Sequence, residues 1–85
     1  MERLTVRESI MMEYQSADVS AIKKWIAEND LPAVFTVEQM TGFLFSDLMF
    51  PCDYDIAAAL FQSGYSEKVT YDKNGFPMMI WKKTD

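Results

Sequence analysis

The chain has 85 residues and a formal net charge of −5, with 13 acidic and 8 basic side chains and no histidine. That length allows one domain and little more, and an apolar fraction of 49% supports a packed core over wholesale disorder. Without histidine the commonest general base and metal ligand is missing, zinc lacks its Cys and His clusters, and no apolar run approaches the ~18 residues of a membrane span. The first residues, MERLTVRESIMMEYQ, carry charges throughout and lack the apolar centre of a signal peptide. The expectation is a cytoplasmic protein with no cofactor and no metal. The single cysteine, Cys52, has no internal disulfide partner, and its PCDYD context offers no base to a reactive thiol.

In chain order, TVRESIMMEYQS places Val6, Ile10, Met11 and Tyr14 at helical spacing, with Thr5 and Glu8 as a capping box. Leu4, Val6 and Ile10 fit an extended arm equally well, so residues 1–17 read as an N-terminal helix or arm. The next helix, DVSAIKKWIAEND, is capped by Asp18 or Ser20 and puts Val19, Ile22, Trp25 and Ile26 on one face, ending before Pro32. A third begins at Thr36, where Gln39 completes a capping-box pattern, and buries Val37, Met40, Phe43 and Leu44. Gly42 in its middle costs about 1 kcal/mol relative to alanine, which suggests close approach by a neighbouring helix. The fourth helix starts at Pro51 or Asp53 with acids in its first turn, buries Ile56, Ala57, Leu60 and Phe61, and stops at Gly64. A hairpin follows: Val69 and Tyr71 alternate with polar residues, Asp72 to Gly75 (DKNG) turns the chain, and Phe76 to Trp81 returns. Pro77 lacks a ladder donor and points to an edge strand.

The order of elements, carried by TVEQMTGFLF, DIAAALFQSGY and VTYDKNGFPMMIWKK, resembles a winged helix. More narrowly it is similar to the small C-terminal winged-helix modules of phage- and plasmid-type primase-helicases, whose primase and ATPase parts are absent here. The expected fold is α+β: three or four helices followed by a C-terminal β-hairpin, as a winged-helix domain over residues 18–85. The resemblance implies a helix-turn-helix reader of DNA, with the recognition helix at Asp53 to Ser63 and the wing at Lys68 to Trp81.

Charge argues against the usual use of that fold. No Lys or Arg occurs between Lys24 and Lys68, whereas Glu28, Asp30, Glu38, Asp47, Asp53, Asp55 and Glu67 fall in that stretch. Non-specific DNA affinity comes mostly from Lys and Arg on phosphates, and base reading from Arg, Lys, Asn and Gln. The recognition helix offers only Gln62, behind Asp53 and Asp55 at its leading end. Lys68, Lys73, Lys82 and Lys83 of the hairpin, with Arg3, Arg7, Lys23 and Lys24, are the remaining basic residues; the four hairpin lysines either contact DNA through the wing or keep an edge strand soluble.

In the last strand Phe76, Met78 and Ile80 alternate with Met79 and Trp81, so both faces are apolar and one awaits the N-terminal segment or a partner. Seven methionines in 85 residues suit adaptable contact or a packed core. Asp53 and Asp55, two apart on a helix, face apart and do not form a catalytic pair, and Tyr54, Tyr65 and Tyr71 have no evident base. The expectation is a non-enzymatic, acidic regulatory or adaptor protein acting by protein–protein contact. Asp53 and Asp55 would meet a basic protein surface and Met79 and Trp81 would anchor it, with homodimerisation through the N-terminal segment compatible. By analogy this suits a phage or mobile-element inhibitor of a nucleic-acid enzyme. The alternative is a DNA-binding transcription or replication factor that uses Lys68, Lys73, Lys82 and Lys83.

Overall fold

The structure, a computed structural model, describes residues 6–84. The Thr5–Glu8 capping box and Arg3 therefore lie outside the described residues. The element order is α1 (Val6–Glu13), α2 (Ala17–Glu28), β1 (Val34–Thr36), α3 (Val37–Ser46), α4 (Asp53–Gln62), β2 (Tyr65–Tyr71) and β3 (Pro77–Lys83). Four helices and a three-stranded antiparallel sheet with a wing-like hairpin make this a winged-helix-like α+β fold. The chain divides into two compact units, Met1–Leu31 with Pro51–Gly64 and Pro32–Phe50 with Tyr65–Asp85.

In the first unit α1 and α2 both pack on α4. Ser16, not Asp18 or Ser20, caps α2: its backbone is extended and its hydroxyl accepts from the Val19 amide at 3.0 Å. Asp18 falls instead in the first turn, where its charge suits the positive helix end. Met11, Val19 and Ile22 are buried beside an α4 in which every residue from Asp55 to Phe61 is buried. Ala57, Ala58 and Ala59 make that possible, since small side chains let neighbouring elements approach the helix on several sides. Ser63 and Gly64 close α4 through amides donated to Leu60 and Phe61, with Gly64 at φ 90.

The second unit is a sheet in the order β1-β3-β2, with α3 packed against β1 and β3. The capping box at Thr36 and Gln39 is present in both halves, at 3.1 and 2.9 Å. The hairpin turn forms where DKNG stands: the Asp72 carboxylate accepts from the Asn74 and Phe76 amides, and Gly75 takes φ 82. Two expectations are corrected. β3 is the central strand, not an edge, because β1 adds to its far side. Pro77 is tolerated because it opens the strand, beyond the Ile80–Lys82 stretch that β1 pairs. Gly42 has nothing within 4 Å of where a Cβ would stand, so no neighbouring helix explains it.

The end of α3 carries the one non-glycine residue of positive φ among those described, Leu48 at φ 60. The Leu48 amide donates to Phe45 at 3.0 Å and the Met49 amide to Leu44 at 2.9 Å, a Schellman closure with leucine in the position usually held by glycine. The core of this unit is Phe35, Met40, Leu44, Tyr65 and Trp81, with the Phe35 and Tyr65 rings 5.4 Å apart.

Candidate interaction surfaces

The helix in the recognition position is occupied from within. The Gln62 amide donates to the Met11 and Tyr14 carbonyls at 2.8 and 2.7 Å, and its oxygen accepts from Lys23 at 3.1 Å. Met11 lies among the last residues of α1, whose carbonyls have no partner inside the helix, so Gln62 acts as a remote cap. About two turns earlier on the same helix face, Asp55 is buried and accepts from the Ser16 hydroxyl and the Cys52 thiol, each at 3.1 Å. Tyr14 also hydrogen-bonds Asp55, and that bond, with burial and the carboxylate charge beside it, holds the phenol above its usual 10.0. The Tyr14 and Tyr54 rings meet edge to face at 4.8 Å. Asp55 and Gln62 thus fasten the α1–α2 connection to α4.

The four residues expected to meet a partner separate into two pairs. Asp55 is buried in that polar cluster and Trp81 is 2% exposed in the core, so neither is presented at the surface. Asp53 is exposed and lines an open groove of about 460 Å³ with Val6, Arg7, Ile10, Met11 and Tyr54. Met79 is 42% exposed. Its register partner is Val69, and Tyr71 pairs with Pro77 one step nearer the turn. These side chains share the sheet face of Phe35, Tyr65 and Trp81. That face is buried at its base and runs out into exposed Val69, Tyr71 and Met79 at the tip. Val69 and Tyr71 lie on the exposed apolar stretch of the sheet that Met79 marks, and their alternation in VTY was the sequence signal that placed them on one face.

The hairpin lysines do not share a face. Lys68 and Lys82 stand with Thr70, Met78 and Ile80 on one side of the sheet, Lys83 lies opposite Tyr65 on the other, and Lys73 is in the turn. A third apolar surface, unmarked by any sequence expectation, lies at the end of α3. Phe45, Leu48 and Phe50 are 57%, 80% and 67% exposed, and the two phenyl rings meet edge to face at 4.7 Å. Among the described residues no group of three or more His, Cys, Asp or Glu could hold a metal ion, and no helix is long and apolar enough to cross a membrane.

No protein-family model matches the chain, and neither a curated protein nor a solved structure matches it.

Proposed function

We propose that this chain is a small acidic regulatory or adaptor protein that works by protein–protein contact and carries a winged-helix-like fold without its DNA-reading surface. The observation that carries this reading is the state of α4. Asp55 to Phe61 are buried and Gln62 is spent on Met11, Tyr14 and Lys23, so beyond the exposed Asp53 and Tyr54 of its first turn the helix offers no polar side chain to a major groove. A net charge of −5 adds repulsion from phosphate.

The wing supplies the contact. Val69, Tyr71 and Met79 form an apolar tip that is continuous with the core face, and apolar side chains centred in a polar rim are what anchor an interface. Acidic residues elsewhere on the chain favour a partner with a basic surface, through faster encounter and better selectivity. Enzymes that act on nucleic acids carry such surfaces, which fits the sequence resemblance to modules of phage- and plasmid-type primase-helicases and a role as inhibitor of such an enzyme.

Two measurements test this. Duplex DNA titrated at low salt is expected to leave the protein unshifted. A salt-dependent shift lost on replacing Lys73, Lys82 and Lys83 by Glu would instead establish the DNA-binding alternative. A purified partner obtained by crosslinking is expected to lose affinity for the Val69→Ser, Tyr71→Ser, Met79→Ser triple variant; unchanged affinity would remove the wing from the contact.

A further inference from the structure

β2 is the outer strand of the sheet, and among the described residues it packs against no element except β3. The Asp72 amide donates to the Phe76 carbonyl at 3.0 Å. Inward and outward groups alternate along an antiparallel ladder, so Lys68 and Thr70 turn their amides and carbonyls to β3 while Val69 and Tyr71 turn theirs outward. An open edge of this kind is a template for a further strand. The devices that usually block one are weak here. β2 holds no proline, its pairing with β3 runs without a bulge from Tyr65 to Tyr71, and Lys68, Val69 and Tyr71 are exposed.

Charge selects the occupant. In a chain of net charge −5, residues 65–75 are neutral, with Glu67 and Asp72 against Lys68 and Lys73. A second copy meets no net charge of its own sign at this edge. Pairing the edge with itself, antiparallel, requires outward groups to face outward groups, which leaves few registers. Lys68 opposite its own copy, or Glu67 opposite its own, sets like charges against each other. Val69 opposite its own copy puts Lys68 across from Thr70 and makes no ion pair. Thr70 opposite its own copy puts Lys68 across from Asp72 of the second chain, twice by symmetry, and Val69 across from Tyr71. Each of these is a favourable cross-strand pair: Thr with Thr, opposite charges, β-branched with aromatic. Asp72 can serve both roles, since the turn amides of Asn74 and Phe76 use only its Oδ1. We infer that two copies of this chain join edge to edge through β2, with Thr70 on the two-fold axis, into one continuous antiparallel sheet. The side chains of Val69, Tyr71 and Met79 stay uncovered on one face of that sheet, so the inference goes beyond the wing contact proposed above and does not rest on it.

Sedimentation equilibrium of the full chain is expected to show a concentration-dependent dimer. Lys68→Glu sets like charges against each other at both pairs and is expected to weaken the dimer about tenfold or more. Val69→Pro removes an outward amide rather than one of the β2–β3 bonds, and is expected to give a folded monomer; Lys68→Glu decides the case if the proline disturbs folding. With Cys52→Ser to leave a single thiol, Thr70→Cys is expected to crosslink on mild oxidation faster than Val69→Cys. A chain that is monomeric throughout, a dimer unchanged by Lys68→Glu or by a folded Val69→Pro, or faster crosslinking at Val69→Cys would overturn the inference. A monomer that still loses its partner in the Val69, Tyr71, Met79 triple variant would overturn it too, and would leave the wing contact standing.

Discussion

Ser16 donates its hydroxyl to the Asp55 carboxylate at 3.1 Å, joining residues 39 positions apart in the chain, while the same oxygen accepts the Val19 amide and so starts α2. Asp55→Ala leaves the Ser16, Cys52 and Tyr14 donors without their acceptor and is expected to cost about 1–3 kcal/mol. Asp55→Asn keeps one oxygen and is expected to cost less. Ser16→Ala loses cap and bond together, for about 1 kcal/mol or more. Urea unfolding of the single and double variants checks this, and the double variant should fall short of the sum because both changes break one bond.

Gln62→Leu removes the donors to Met11 and Tyr14. A loss of about 1–3 kcal/mol is expected. Hydrogen exchange should show where it acts: the amides of α1 open faster, and those of the β2–β3 ladder keep their protection.

Leu48→Gly is expected to stabilise the chain by about 1 kcal/mol, since glycine meets no Cβ penalty in the left-handed region. Equilibrium unfolding measures this independently of any partner.

The two tyrosines with raised pKa predict behaviour at high pH. Tyr14 is raised chiefly by its bond to Asp55 and Tyr65 by burial. A folded-state pKa above the unfolded one contributes stability that is present below about 10 and lost as pH rises through the folded value. The melting temperature should therefore fall as pH passes above 10.0, and Tyr14→Phe and Tyr65→Phe should each flatten part of that fall.

Features encoded in adjacent residues were legible. Thr36 with Gln39, the DKNG turn, Gly64 and the end of α2 at Asn29 all depend on hydrogen bonds spanning a few positions, so the sequence carries them on its face. What depends on distant partners was not. β1 spans three residues and exists because β3 offers it a ladder. The same pairing turned β3 from an expected edge into the centre of the sheet. Asp55 has the sequence signature of an exposed first-turn acid, and only the approach of Ser16 makes it an interior acceptor. On the wing, alternation identified the right strands, but burial grades along each face, so Trp81 went inward while Met79, two residues away, stayed at the surface. The apolar exit of α3 gave no signal, because Phe45, Leu48 and Phe50 fall outside the buried stripe read for that helix and carry no spacing or motif of their own.

The central place of β3 has a kinetic consequence. The β2–β3 hairpin is local and closes a short turn, an event of about 1–10 μs. β1 has no strand to join until β3 is laid down, and must then be recruited across the whole of α3 and α4. The expected order of assembly is therefore hairpin first and β1 last, with the long loop closure as the slow step, which stopped-flow refolding would check. Loosening the DKNG turn should slow the arrival of a strand that makes no contact with it.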